Sequence, residues 1–442
     1  MVIKGSFYSA ETPDEIQYGR QRLVVIDQAG YIKAIIAPQE ADYQTTWQQA
    51  ARSDSLLELR ADQVLLPGFI DLHIHAPQWP NAGLALDQPL AEWLNIYTFP
   101  LEAKYQDAHW ARQVYRDLVK ELLAQGTTTA LYFGGVDNTG NFELAKACCH
   151  YQQRGFIGKV AMDNPEQTPA NYRDVNSVAA LRGTEDFIKF IADLNHQAAV
   201  QLTPVITPRF VPSCTAETLA GLGKLAQQYA LPIQSHCSES DWEDNYALEH
   251  FQKRDAAVLD QFGLLTQRSV MAHGTLLNDT DYQLFIQRQA ALAHCPISNV
   301  YFGNAVLPVT HILHQPIKVG LGTDISGGYS PSIYQNIRQA LISSRQLHDG
   351  VDGRLAPSQR GTGSSVLTAA NGFYLATVGG ARSLQLPTGQ IKVGQLADLQ
   401  IVHQNWTSTA QLTPQQIFEK LIYQTDKNNI DQVLVQGIIV KG

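Results

Sequence analysis

The sequence predicts an α/β fold, a (β/α)8 barrel with a small β-sandwich formed from both chain ends. Three observations carry this expectation. From residue 65 onward, eight short β-branched or apolar runs alternate with segments of helical period. The stretches before and after contain alternating runs bounded by Gly turns, the pattern of antiparallel strands. At 442 residues the chain accommodates one barrel of roughly 250 to 300 residues with additions.

In chain order, the N-terminal flank, residues 1–62, carries Leu23-Val24-Val25-Ile26-Asp27. The barrel is expected over 63–387, with strands at 65–75, 128–133, 155–163, 200–210, 231–236, 270–273, 291–295 and 318–324. Residues 111–125, 216–229 and 280–289 place Leu, Val and Ala at three- and four-residue spacing and read as amphipathic helices. The connection 76–104 is rich in Pro and aromatics and long for a strand-to-helix loop, which suggests a cover over the site at the C-terminal strand ends. The C-terminal flank, 388–442, carries Ala397-Asp398-Leu399-Gln400-Ile401-Val402 and a run from Gln432 to Val440. Chain ends often lie close together, so the two flanks are expected to pair into one sandwich.

Composition narrows the function. Hydrophobic residues make up 44% and charged residues 17%, ordinary for a globular protein. A formal net charge of −9 disfavours nucleic acid and anionic membrane as partners and leaves small-molecule chemistry. No run of 18 apolar residues occurs and Met1-Val2-Ile3-Lys4-Gly5-Ser6-Phe7-Tyr8 has no signal-peptide apolar region, so a cytoplasmic location is expected. Cys148, Cys149, Cys214, Cys237 and Cys295 include no C-x-x-C, which indicates neither a disulfide framework nor a cysteine-based zinc site. The glycosylation sequons Asn278-Asp279-Thr280 and Asn405-Trp406-Thr407 therefore read as chance matches.

The chemistry lies at the strand ends, which carry His73 and His75, Arg209, His236 with Glu239 three residues on, His273, Cys295 and Asp324. Side chains two apart on a strand share a face, so His73 and His75 can turn to one ion while Ile74 packs outward. A single histidine of this kind is commonly a hydrogen-bonded core residue. Apolar strands that end repeatedly in His or Asp are hard to explain by packing. Three neutral imidazoles with one carboxylate suit zinc, with iron as the second candidate, and leave a position for water. Such an ion lowers the pKa of its water from 15.7 to about 7, which makes the expected chemistry hydrolytic. No H-E-x-x-H, G-x-S-x-G, P-loop or G-x-G-x-x-G occurs, and the P-C-x-x-C of the small cytidine-deaminase fold is missing.

Pro67-Gly68-Phe69-Ile70-Asp71-Leu72-His73-Ile74-His75, Ser235-His236-Cys237-Ser238-Glu239, Ala272-His273-Gly274, His294-Cys295-Pro296-Ile297-Ser298-Asn299 and Gly322-Thr323-Asp324 resemble the amidohydrolase superfamily in its deaminase branch, over essentially the whole chain. Within the branch, Ala76-Pro77-Gln78, Glu92-Trp93-Leu94 leading to Tyr97-Thr98-Phe99-Pro100, and Thr207-Pro208-Arg209-Phe210 look like the guanine deaminase family. The resemblance implies one zinc per chain on His73, His75, His236 and Asp324, a homodimer, and a place in purine metabolism. It also implies Gln78, Arg209 and Phe210 on the purine beside His75, His236, Glu239 and Asp324, with Glu239, Asp324 and His273 in catalysis. The chemistry agrees, since removing the amine of guanine needs hydroxide added at C2, a proton at N3 and a protonated leaving amine. Glu239 would shuttle protons, Asp324 would accept the proton of water and His273 would hydrogen-bond the attacking oxygen. Gln78 and Arg209 offer donors and an acceptor to the O6 and N1 edge, and Phe210 and Trp79 offer stacking faces. On position alone Arg209 reads equally as a surface or capping arginine. The lysine that bridges two metals in some superfamily members has no clear counterpart, because Lys159 lies within the third strand. Ala91 departs from a more usual leucine, and the loop Ser326-Gly327-Gly328-Tyr329-Ser330 varies among relatives. The alternatives are another aminohydrolase of this superfamily, acting on a different purine, a pyrimidine or a triazine, and a non-catalytic barrel scaffold.

Overall fold

The computed structural model describes residues 1–303, 305–404, 406 and 411–441. The second sequon, at Asn405 and Thr407, lies outside them. Both flanks join one eight-stranded sheet, built from Val2–Ala10, Ile16–Ile26, Ile32–Ile36, Leu56–Glu58 and Gln63–Pro67 together with Leu399–His403, Ile430–Val435 and Ile438–Lys441. They meet where Gln63–Pro67 pairs antiparallel with Leu399–His403, Leu65 opposite Ile401. The expectation of purely antiparallel flanks is corrected, because Val2–Ala10 runs parallel to Leu56–Glu58 and to Gln63–Pro67. The helix Asp42–Arg52 supplies the crossover that a parallel return needs.

The run 65–75, read as one strand, is two. Gln63–Pro67 belongs to the flank sheet and Phe69–His75 opens the barrel. Pro67 has no N–H for a continued ladder. A Cβ on Gly68 would lie 2.3 Å from Thr128 Cγ2, so the chain changes sheets at a residue without a side chain.

All eight barrel strands appear where the alternation places them: Phe69–His75, Thr127–Phe133, Arg154–Gly158 with Val160–Ala161, Thr203–Pro204 with Thr207–Pro208, Ile233–Cys237, Ser269–His273, Ala291–His294 and Lys318–Leu321. Their ladders are parallel. The fourth strand is interrupted because Pro204 and Pro208 cannot donate to a ladder. An Ile206–Ile233 bridge joins it to the fifth. The eighth strand returns to the first through Asp324 N to His73 O, 2.8 Å, and His75 N to Ile325 O, 2.9 Å. Barrel closure therefore runs through three of the expected site residues.

The expected helices are Ala108–Ala124, Ala216–Tyr229 and Asp279–Arg288, opened by the side-chain caps Asp107, Thr215 and Asn278. Asn278 of the first sequon thus accepts from Thr280 N and Asp281 N. The segment 76–104 is not an open loop. It folds into short helical turns, Ala76–Asn81, Leu90–Trp93, Leu94–Thr98 and Phe99–Glu102, that sit over the strand ends.

Candidate metal and substrate site

His73 and His75 leave the first strand on one face because the two-residue repeat restores the side-chain direction. His73 Nε2 lies 3.1 Å and His75 Nε2 3.5 Å from Asp324 Oδ1, and His75 Nε2 is 3.0 Å from His236 Nε2. His236 Nδ1 lies 2.6 Å from the main-chain oxygen of Arg209. A carbonyl only accepts, so Nδ1 carries the hydrogen and Nε2 keeps its lone pair toward the other imidazoles. His273 Nε2 is 3.6 Å from Glu239 Oε1 and 3.9 Å from Asp324 Oδ2, while its Nδ1 is 2.9 Å from Asn299 Oδ1. The ligand atoms of His73, His75 and Asp324 lie within 4.8 Å of one another, as do those of His73, His236 and His273. His73 Nε2 and His273 Nε2 are buried without a hydrogen-bond partner. Such atoms are costly unless something meets them; a cation between neutral imidazoles and a carboxylate would meet His73 Nε2, and an oxygen beside that cation would meet His273 Nε2. The residues fit a metal.

Backbone conformation aims these groups. Asp324, His273 and Ser238 adopt φ of 49°, 72° and 48° at the ends of their strands. Left-handed conformations at such residues cost of order 1–3 kcal/mol each and persist where the surrounding structure imposes them. The turn at Ser238 brings Glu239 round to face His273.

Burial sets the charge states. It holds the His75 and His236 imidazoles well below their ordinary range, with His73 adding to the effect, so both are neutral and able to bind metal. Burial alone would raise the Asp324 carboxyl, yet His73, His273 and His75 outweigh it and keep the group far below the usual carboxylate range. For Glu239, burial wins over the opposing pull of His273 and the carboxyl is pushed up. Burial also pushes Asp71 up to about 7, against hydrogen bonds from Thr323 and His73. Asp71 thereby ties the strand carrying the His pair to the strand leading into Asp324.

A pocket opens above these groups, walled by Gln78, Arg209, Phe210, Trp242 and Phe302 with Glu239. Arg209 is not a surface arginine. Its Nη1 and Nη2 donate to Glu102 at 2.8 and 3.2 Å, and its guanidinium lies 5.0 Å from the Phe99 ring centroid. Gln78 Nε2 donates to Glu102 Oε1 at 2.8 Å, and Ser326 N donates to Gln78 Oε1 at 3.1 Å. Phe210 meets Trp242 nearly edge-on at 5.2 Å.

The structure brings His73, His75, Gln78, Arg209, Phe210, His236, Glu239, His273 and Asp324 to one mouth. Trp79 is a correction. Its indole donates to Asp117 on the helix Ala108–Ala124 at 2.7 Å and packs behind the first strand rather than on the cavity. Trp242 and Phe302 stand where a stacking face was expected from Trp79. Lys159 is buried against Asp174, turned away from the imidazoles, and Cys295 is buried behind Gly322. Sequence reasoning missed Glu102, Trp242 and Phe302. Only Trp242, three residues after Glu239, had a usable signal of position.

A model of the amidohydrolase family matches residues 64–440. A probable guanine deaminase of Schizosaccharomyces pombe is 37% identical over 413 residues, covering 89% of this chain and 76% of the relative. Human guanine deaminase is 32% identical over 451 residues, covering 99% and 95%. Among solved structures, guanine deaminase from C. acetobutylicum, with guanine bound in its active site, matches with a TM-score of 0.88 at 29% identity over 99% of both chains. The E. coli enzyme matches at 0.85 and 26% identity, over 99% of this chain and 98% of that one. The chain belongs to the amidohydrolase family and, within it, to the guanine deaminases.

Proposed function

We propose that this chain hydrolyses guanine to xanthine and ammonia. The observation that carries the reading is the junction, in one cavity, of a three-imidazole, one-carboxylate donor set with a buried Arg209–Glu102–Gln78 edge. Relatives bearing the guanine deaminase name, and one of them with guanine in its active site, support the substrate. His73, His75, His236 and Asp324 would hold one zinc ion, with iron as the other metal such donors accept. When bound, the ion lowers the pKa of its water to about 7 and makes hydroxide available at neutral pH.

The protein's own groups do the rest. Asp324, kept ionised by its histidines, takes the proton of the attacking water through the oxygen that faces His273. Glu239, whose carboxyl burial pushes up, holds a proton at neutral pH more readily than an exposed glutamate. It delivers that proton to N3 as C2 becomes tetrahedral, then takes the proton of the new C2 hydroxyl and carries it to the amine as the C2–N bond breaks and the C2 carbonyl forms, after which the proton held by Asp324 restores Glu239. His273, fixed by Asn299, orients the attacking oxygen. Arg209 and Gln78 read the O6 and N1 edge, and Phe210 and Trp242 exclude water from the faces of the base.

Five free thiols support a reducing compartment such as the cytoplasm, and among the described residues no helix is long and apolar enough to cross a membrane. The family resemblance supports a homodimer, which sedimentation would read. Steady-state ammonia release from guanine, adenine and cytosine by the metal-loaded protein tests the function. Xanthine and ammonia from guanine, with adenine and cytosine poor, is the expected result. No release from guanine, or comparable efficiency on adenine, would overturn it.

A further inference from the structure

We infer that Glu102 is a specificity-determining positioning residue, one that sets which purine edge the cavity accepts by locking the Gln78 amide in one of its two orientations. The inference rests on the reading that this cavity binds guanine. An amide nitrogen and oxygen are nearly the same size, and what distinguishes them is the partner each one meets. Gln78 is held from both sides by groups that cannot change role. Glu102 Oε1, which also takes Arg209 Nη2 at 3.2 Å, accepts from Gln78 Nε2 at 2.8 Å. On the other side the Ser326 N–H can only donate, and it donates to Gln78 Oε1 at 3.1 Å. Turning the amide over would set oxygen against carboxylate and N–H against N–H in a place where Gln78 and Ser326 are both buried.

The lock matters because guanine and 2,6-diaminopurine present inverted edges. Guanine offers an acceptor at O6 beside a donor at N1, whereas the diamino base offers a donor amine at C6 beside an acceptor at N1. Both carry the same leaving amine at C2. An amide held with Nε2 at the Glu102 side matches one edge, and the turned amide matches the other. The carboxylate also compensates the Arg209 charge, so the pair presents a neutral donor surface suited to a neutral base. Glu102 lies outside the cluster of imidazole and carboxylate donors and acts through Gln78 and Arg209.

The test is the ratio of kcat/KM for guanine to that for 2,6-diaminopurine, read on metal-loaded wild type and on Glu102→Gln, with metal content and Tm as controls. An amide at 102 with its oxygen towards Gln78 leaves its nitrogen facing Arg209 Nη1, whereas turned the other way it sets its nitrogen on Gln78, whose amide must then flip against the Ser326 N–H, so the lock on Gln78 is weakened. The ratio should fall by at least about tenfold in E102Q, and less in Glu102→Asp, which keeps the charge at shorter reach. A uniform loss on both bases, with the ratio unchanged, overturns the inference in favour of a purely structural role. Should neither variant fold, Gln78→Met removes the oriented amide with Glu102–Arg209 intact, and an unchanged ratio there overturns it equally. Wild type inactive on guanine would sink the functional reading, and this inference with it. Wild type active on guanine with an unmoved ratio in the variants sinks this inference alone.

Discussion

Replacing Arg209 with Ala should cost stability as well as substrate affinity, because it strands a charge. The Arg209 and Glu102 side chains are 3% and 0% exposed and share two hydrogen bonds. Breaking such a pair from one side costs about 3–5 kcal/mol, since the carboxylate left behind keeps its desolvation penalty and loses its main compensation. For 442 residues and about 2.1 cal/mol/K of unfolding entropy per residue, that loss lowers Tm by about 3–5 °C. Removing Glu102 as well deletes the stranded charge. The Arg209→Ala, Glu102→Ala double variant should therefore melt above Arg209→Ala alone, and a double-mutant cycle should return a coupling of roughly 1–3 kcal/mol. Scanning calorimetry on the four metal-loaded proteins reads this directly, with guanine KM measured alongside. KM should rise in both variants that lack Arg209, with metal content unchanged. Losses that simply add, or an Arg209→Ala Tm equal to wild type, would refute the buried-pair argument and return Arg209 to a peripheral role.

Three further outcomes follow from the same geometry. Glu239→Gln should keep its metal and lose roughly 10²–10⁴ in kcat, because the amide preserves shape but cannot shuttle protons; a variant within a few-fold of wild type would make Glu239 a bystander. His73→Ala or His236→Ala should lose both metal and activity, against about one equivalent per chain in wild type by elemental analysis; two equivalents in wild type would refute the mononuclear site. Burial pushes the Asp255 carboxyl up to about 7, above an ordinary value of about 3.9. A raised folded pKa contributes stability that is full below the unfolded value and is lost as pH rises through the folded one. Wild type should therefore lose stability relative to Asp255→Asn between about pH 4 and pH 7, and a pH-independent difference between the two melting curves would contradict the shift.

The parts of this molecule that could be read from the chain are those specified by local periodicity. His73, His75, His236, His273 and Asp324 each close an apolar run, and a parallel barrel delivers all strand ends to one face, so position along a strand was enough to assemble them. Two kinds of error arose where that logic stops. Trp79 follows Gln78 by one residue, but both lie in the turn Ala76–Asn81, where about three residues per turn send neighbours some 120° apart. Sequence adjacency to a cavity residue therefore pointed Trp79 away from the cavity and towards Asp117. The break at Gly68 was invisible for a different reason, since the apolar run continues through it while the hydrogen-bond partners change from Asp398 to Gly126.

Glu102 lies 107 residues from Arg209 and 24 from Gln78, and no spacing rule relates these three positions. Its carboxylate is meaningful only once the 76–104 segment folds back over the barrel and the fourth strand ends beneath it. The proposed metal donors, by contrast, stand on backbone hydrogen-bonded across the barrel, His73 and His75 being tied directly to Asp324 and Ile325. The proposed hydrolytic centre and the proposed edge reader are thus specified by different interactions, one by strand ladders and the other by side-chain bonds from a covering segment. Changes within Phe99–Glu102 should accordingly alter which base is accepted while leaving the metal donors in place, whereas changes at Asp71, which bonds both Thr323 and His73, should disturb the donors and leave the Arg209–Glu102 pair intact.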